Sequence, residues 1–403
     1  MIVSGISDGC LLFAPLWWAF VEGGFDMADP SARATAMEQV GVALGIVPLT
    51  RLASLLVTAP FGDWFSRKQV LAASFLARCL IWGSLALASL KGFDSPRITV
   101  LLALAAVGSG LSDSVSLGMV PQLVTPANAK RALAYSAGLP KMGFFLSIAA
   151  GLIVSGLAGL TGLLLLGVLW LAAAGFAASR VRAATPVTSP PLHLGLWGAE
   201  LLLPLTQLFR QRSLLWLGLI AALTNFVAYP MYSISAALQA DRPEGLGTPE
   251  SLEWAFAIGA LAGALAVGWV THHYDLRRTT SACLAVFGAG VAALCWAGPE
   301  WASDAVSFAA GAAFSILNVQ LVTRALGLAP ERMRVRAAAL MAASFAAGAE
   351  LGARAISEAS RHFDVRWVLG AVALATLAQS ALVAGRPGAS TFDETFAVQG
   401  DRI

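Results

Sequence analysis

Long apolar stretches separated by short charged joints dominate this sequence. The run "VGVALGIVPLTRLASLLVTA" ends just before "PFGDWFSRKQVL", residues 60–71, and another run, "AASFLARCLIWGSLALASL", follows directly. A helix of about 20 apolar residues spans the roughly 30 Å hydrocarbon core of a bilayer. Because such stretches recur along the whole chain, the sequence predicts a polytopic, all-α membrane protein.

The composition fits a chain that faces lipid over much of its surface. Of its 403 residues, 58% are hydrophobic and only 12% are charged, and the mean hydropathy is +0.74. A soluble domain carries about a quarter charged residues, so this chain lacks the polar surface that a water-soluble protein needs. The apolar stretches predict about twelve transmembrane helices, near residues 3–21, 39–60, 69–90, 98–120, 132–157, 160–179, 214–238, 252–271, 280–297, 303–326, 335–357 and 365–385.

The joints between these stretches differ in charge on the two sides of the membrane. Alternate joints hold basic pairs, such as Arg67 with Lys68, whereas the joints between them are mainly acidic. Basic joints stay in the cytoplasm, so we predict that both termini are cytoplasmic. The net charge of +3 therefore reports topology and contact with membrane lipids, and we expect no nucleic-acid partner.

A longer connector divides the chain into two halves of six predicted helices each. It covers residues 183–212, begins with a Pro/Ser/Thr-rich stretch and continues with an apolar part that could form an interfacial helix. The string "QLVT" occurs at 122–125 and again at 320–323, in corresponding joints about 200 residues apart. We therefore predict two six-helix bundles and a cytoplasmic tail, over residues 1–182, 213–386 and 387–403.

The joint between the second and third stretches resembles the cytoplasmic loop signature of the major facilitator superfamily, G-x-x-x-D-R-x-G-R-R/K. Asp63 falls on the acidic position of that signature, and Arg67 with Lys68 fall on its basic pair. The sequence departs from the signature at the positions of two glycines and one arginine, which hold Ala59, Ser66 and Trp64.

This resemblance implies a transporter fold of two pseudo-symmetric six-helix bundles that works by alternating access. In the family, the acid of this loop engages the start of helix 11 and latches the two halves on the cytoplasmic side. Here Asp63 would meet the start of a helix within residues 330–340, with Arg334 and Arg336 as possible partners. The alternative is that the basic pair of the joint only anchors the topology. The corresponding joint of the second half, "GWVTHHYDLRRTT", keeps the basic pair as Arg277 and Arg278.

Charged residues inside the apolar stretches are few, and each is costly unless it is paired or faces water. Arg51, Arg78 and Lys141 lie deepest, at about 14–18 Å from the membrane surface for a rise of 1.5 Å per residue. Glu350 and Arg354 stand four residues apart on one helix, so we expect them to satisfy each other. For proton coupling we favour Asp113 acting with Lys141, and the full set of candidates is Asp113, Lys141, Asp8 and Glu350.

Polar and aromatic residues within the stretches define a candidate substrate cavity, although each of them alone also fits a packing role. These cavity candidates are Arg51, Asn225, Tyr229, Tyr232, Trp254, Asn318, Gln320 and Arg354. The segment "AIGALAGALAVG", residues 257–268, indicates close packing of helices through small residues rather than a nucleotide-binding loop.

The motifs point to transport and away from catalysis. The sequence has no metal-ligand spacing, nucleotide-binding glycine loop or nucleophile motif, so we expect no metal, no cofactor and no enzymatic activity. "PQLVTPANAKRALAYSAGL" and "LAPERMRVRAAAL" resemble the joints of bacterial exporters near the enterobactin-exporter and lysophospholipid-transporter groups. This resemblance implies a monomeric, proton-coupled antiporter of the bacterial inner membrane that exports a small amphipathic molecule. The alternatives are uptake, lipid flipping by the same fold, and a role as a membrane assembly or scaffold subunit.

Overall fold

The structure is a computed structural model that describes most of the predicted helices. It describes residues 46–47, 49–55, 57–58, 61–62, 64–90, 95–181, 211–228, 249–273, 276–295, 300–330 and 333–385. The predicted first helix, nearly all of the connector and the C-terminal tail lie outside these ranges. Within them, the regular secondary structure is helical throughout.

Nine helices follow one another along the described ranges, after helical residues between 46 and 64. They are α1 (Arg67–Ser89), α2 (Ser95–Leu123), α3 (Pro126–Arg180), α4 (Arg212–Ala228), α5 (Pro249–His273), α6 (Leu276–Cys295), α7 (Glu300–Leu328), α8 (Arg334–His362) and α9 (Val365–Gly385). The starts of α3 and α9 show features typical of helix N-termini. Pro126 stands in the first turn of α3, and Asp364 Oδ1 accepts a 2.8 Å hydrogen bond from the backbone N–H of Arg366 at the start of α9.

The described helices are long and apolar enough for a multi-pass membrane protein. Six stretches reach the length of a membrane span: Arg67–Ser89, Arg97–Val120, Leu157–Arg180, Trp301–Leu328, Arg334–Ile356 and Arg366–Gly385. Ser213–Val227 and Trp254–Val267 form shorter apolar helices. These elements confirm the predicted all-α membrane class.

The fifth and sixth predicted helices follow each other without a loop in the element α3, and its helical backbone is interrupted at Gly159. This residue has φ 63° and ψ −168°, a backbone conformation that essentially only glycine adopts. The break falls between the predicted stretches 132–157 and 160–179. The chain therefore turns from one helix into the next at a single glycine.

The helices form two units by their contacts, and the first unit contains α1, α2, α3 and the segment Leu326–Ala343. Its core lies between α1, α2 and α3, where Trp82, Leu102 and Leu163 are almost completely buried. Val335, from the first turn of α8, is part of the same core. The start of α8 is thus a structural component of the N-terminal unit.

The second unit contains α4, α5, α6, α9, α7 up to Ala325 and α8 from Ser344. Phe256, Phe287 and Val291 are buried in its core. The backbone of α7 crosses α5 so closely at Gly259 and Gly263 that a β-carbon there would overlap it. The glycines of the segment 257–268 therefore serve helix packing, as the sequence predicts.

Candidate functional site

An ion pair between Arg51 and Asp113 lies inside the first unit. The Nη2 of Arg51, on the helical residues 49–55, bonds to Oδ2 of Asp113 on α2. The Arg51 side chain is 40% exposed and the Asp113 side chain 24%, so the surrounding protein buries the pair only in part. Gly110 allows the close approach of these two helices, because a β-carbon there would lie 3.0 Å from the Arg51 carbonyl oxygen.

A second arginine contacts α2 at the residue next to Asp113. Arg78 of α1 is completely buried, and its Nη1 donates to the Ser112 hydroxyl at 3.3 Å. Ser74, one turn earlier on α1, donates to the Gly108 carbonyl at 2.8 Å. Buried charge is tolerated at this depth only with polar partners, and the Ser112 hydroxyl of α2 supplies one to Arg78.

Asp113 has a described ion-pair partner, Arg51. The sequence predicts that Lys141 acts with Asp113, and this pairing stays a prediction. Lys141 belongs to α3, but its side chain lies outside the described residues, as does Asp8. Arg51 is not on a helix adjacent to α2 in the sequence, because it precedes Asp113 by 62 residues and α1 lies between them.

The joint between residues 61 and 67 is held by hydrogen bonds and by close packing in the same unit. Arg67 is buried, and its Nε and Nη1 donate to the carbonyl oxygens of Gly62 and Gly118 at 3.2 and 3.0 Å. Val335 fills the space over both glycines, where β-carbons would come within 2.8 and 2.6 Å of its methyl groups. Asp63 lies outside the described residues, and Lys68 is half-buried on the first turn of α1.

The next residue of α8, Arg336, lies over an aromatic ring of the same joint. Its guanidinium carbon is 5.5 Å from the centroid of the Trp64 ring, within the range of a cation–π contact. Of the two arginines that the sequence offers as partners for Asp63, Arg336 is therefore in contact with the residue that follows Asp63. No sequence signal points to this contact, because Trp64 departs from the family signature.

The basic pair of the second half has a different structural role. Arg277, at the start of α6, donates through Nε to the Val383 carbonyl oxygen at 3.1 Å and through Nη2 to that of Ala384. Both acceptors are in the last turn of α9, where carbonyl groups lack partners within the helix and favour a cation. Arg277 therefore caps α9, while Arg278 is exposed.

The polar candidates of the second unit are only partly brought together. Asn225 of α4 donates to Asn318 of α7 at 3.3 Å, and both residues are buried. Gln320 is also buried on α7, Trp254 is 43% exposed on α5, and Tyr229 and Tyr232 lie outside the described residues. The predicted pair of Glu350 and Arg354 is present, with Nη2 and Oε1 2.8 Å apart.

Comparison with known proteins places these features in a family. The sequence profile of the Major Facilitator Superfamily matches residues 2–353. The chain belongs to the major facilitator superfamily. As a member of this superfamily it is a multi-pass membrane protein and a secondary transporter of small molecules, and not an enzyme. Comparison with curated protein sequences gives no match.

Solved structures with the same fold include transporters for different substrates. A variant form of the Escherichia coli fucose:proton symporter has a TM-score of 0.73 at 12% identity, covering 96% of this chain and 97% of its own. The human organic anion transporter has a TM-score of 0.73 at 14% identity, with coverages of 95% and 97%. A bacterial homologue of the iron transporter ferroportin has a TM-score of 0.66 at 17% identity, with coverages of 95% and 98%. At these identities the similarity shows the fold alone.

Proposed function

We propose that the chain exports a small amphipathic molecule in exchange for protons across a bacterial inner membrane, with Asp113 as the proton-carrying group. The observation that carries this proposal is the partly exposed ion pair of Asp113 and Arg51. Asp113 is the one acidic residue of α2 and stands in an apolar stretch. An ionisable residue at such a position is costly, and in transporters it marks an ion or substrate pathway.

The pair has two states that differ in charge. Ionised Asp113 attracts Arg51, whereas protonated Asp113 has lost the charge that holds the guanidinium. A molecule that binds better to one of these states is coupled to the proton, because each ligand then changes the affinity for the other. In exchange transport the exported molecule prefers the ionised state, so that proton and substrate occupy the site in turn.

Each unit contains polar groups that suit an amphipathic substrate. The first unit has the charged pair, and the second has the neutral amides of Asn225 and Asn318. Amide groups can donate and accept hydrogen bonds without adding charge to the membrane interior. The resemblance of the joints 121–139 and 328–340 to those of bacterial exporters supports the outward direction.

Proton-driven uptake of an anion is the second candidate, and the exposure of Arg51 favours it. Its side chain is the more exposed partner, at 40% against 24% for Asp113. An anion that binds Arg51 would displace Asp113, which would then take up a proton. Anion and proton would therefore travel together, and an inward proton gradient would drive both into the cell.

A metabolite comparison in intact cells separates these functions. We would compare cells that lack the protein with cells that make the wild type, Asp113→Asn or the control Glu358→Gln, which changes an exposed carboxylate of α8. Export predicts a compound that is retained in cells lacking the protein and released by the wild type and the control, with Asp113→Asn resembling the lacking cells. Depletion of a compound from the medium by the wild type would instead support uptake. No difference in any compound would contradict both and favour the scaffold role.

A further inference from the structure

Three aromatic residues line the joint that precedes α1. The Phe61 and Trp64 rings meet edge-to-face with centroids 5.9 Å apart, and Phe61 and Phe65 are stacked at 6.2 Å. Such pairs hold rings in fixed orientations. The Trp64 face that Arg336 contacts is therefore set by its neighbours in the joint.

The basic residues at the start of α8 are electrostatically unfavourable there, and the Trp64 ring offsets part of this cost. The helix begins with Arg334, Val335 and Arg336 and has no acidic residue in its first turn. The N-terminus of a helix carries the positive end of the helix dipole, so basic residues there are unfavourable. Arg336 is nevertheless buried, since only 7% of it is exposed. The face of an aromatic ring carries partial negative charge and attracts a guanidinium without adding an ionisable group.

Packing and charge act at adjacent residues of the same helical turn. Val335 is completely buried and seated over Gly62 and Gly118, and Arg336 lies 5.5 Å above the Trp64 ring. Arg67 ties Gly62 to Gly118 through its two hydrogen bonds. The docking surface for the start of α8 is thus built from the joint and from α2.

We propose that Trp64 and Arg336 form a cation–π clasp that holds the start of α8 on this surface and sets how often the protein opens on its predicted cytoplasmic face. Trp64 occupies the position at which the family signature has an arginine. An arginine there would face Arg336 with a like charge. In this chain a substitution toward the signature should therefore weaken the contact instead of restoring it. The proposal depends on neither the substrate nor the proton site.

The clasp can be tested without a known substrate by cysteine labelling. Ala338 lies one turn after Val335 and is completely buried, so Ala338→Cys reports undocking of this segment. We would measure its rate of reaction with N-ethylmaleimide in the purified protein in nanodiscs and subtract the labelling of the parent without this substitution. In this background we would compare Trp64→Arg, Arg336→Gln, Trp64→Phe, Trp64→Leu and the pair Trp64→Arg with Arg336→Glu.

The variants should separate the ring face from simple packing. Trp64→Arg and Arg336→Gln should raise the labelling rate roughly three- to tenfold, the range expected for a partly desolvated cation–π contact. Trp64→Phe keeps a ring and should stay within about twofold of the parent, while Trp64→Leu, which keeps apolar volume without a ring, should label faster than Trp64→Phe. The double variant should return toward the parent rate, because an ion pair replaces the clasp.

A matched control variant tests whether the effect on labelling is specific to the clasp. Arg180→Gln removes another arginine stacked on a ring, since its guanidinium lies 4.8 Å from the Phe176 centroid within α3. This control should leave the labelling rate unchanged. Parent-like labelling in Trp64→Arg would overturn the proposal. If Trp64→Arg fails to fold, equal labelling of Trp64→Leu and Trp64→Phe would overturn it in the same way.

Discussion

Arg51 and Asp113 are 62 residues apart in the sequence, and their side chains form an ion pair between the helical residues 49–55 and α2. Next to this pair, Arg78 of α1 bonds to Ser112. Two consecutive residues of α2 are therefore held by arginines from two other helices. This concentration of charge is the main reason to place the coupling chemistry in the first unit.

Exchanging the two charges tests whether the ion pair supports the fold. Arg51→Asp alone places two carboxylates together and should lower the free energy of unfolding by about 1–3 kcal/mol. This loss is smaller than for a fully buried ion pair, because both side chains are partly exposed. The double variant Arg51→Asp with Asp113→Arg should recover most of that loss. Thermal unfolding of the purified protein in detergent measures both. Equal stability of all variants would show that the pair contributes nothing to the fold.

The packing of Val335 against Gly118 can be tested by making the glycine larger and the valine smaller. Gly118→Ala puts a β-carbon 2.6 Å from a Val335 methyl group, and overpacking of this kind costs about 1–3 kcal/mol. Val335→Ala alone should also destabilise the protein, because it leaves a void. Together the two substitutions should cost less than the sum of the single ones. A double-mutant cycle of unfolding midpoints checks this, and strict additivity would argue against the contact.

The break in α3 should depend on glycine at one position only. Gly159→Ala forces a side chain into a backbone conformation that costs about 1–3 kcal/mol, so the unfolding midpoint should fall. Gly175→Ala is the matched control on the same helix, where a β-carbon would meet only Phe75 at an ordinary 3.5 Å. It should be neutral or slightly stabilising. Similar losses for both variants would contradict a special role for Gly159.

Asp63 gives a prediction that rests on the family signature. Asp63→Asn removes a charge that the latch hypothesis places near the N-terminus of α8, so the form open on the predicted cytoplasmic face should gain population. The labelling of Ala338→Cys should then rise. If the labelling stays at the parent rate while Trp64→Arg raises it, Asp63 is a topology anchor and the clasp alone holds α8.

The membrane fold is readable from the sequence because its cause is local. A run of apolar residues long enough to cross the bilayer must form a helix, since lipid offers no other partner for its backbone. The pair of Glu350 and Arg354 was predictable for the same reason, because both residues lie on one helix face. Even the turn at Gly159 falls between the predicted stretches 132–157 and 160–179.

Contacts between side chains on different helices could not be predicted from local sequence patterns. The ion pair of Asp113 with Arg51 joins residues 62 positions apart, and only the packing of the helices brings them together. The contact of Arg336 with Trp64 joins residues from opposite halves of the chain, at a position that departs from the signature. Arg277 resembles a signature residue in sequence, yet it caps α9. In each case long-range packing determines the role.

Proton-driven flux through Asp113→Asn tests the central claim most directly. The wild type, Asp113→Asn and Glu358→Gln would each be reconstituted into proteoliposomes. The movement of the compound found by the metabolite comparison would then be followed with and without an imposed pH gradient. We predict that the gradient drives accumulation by the wild type and by Glu358→Gln, whereas Asp113→Asn retains only part of the one-for-one exchange of substrate across the membrane, without net accumulation. Accumulation by Asp113→Asn at the wild-type rate would contradict the account and place the proton site elsewhere, with Asp8 and Glu350 as the next candidates.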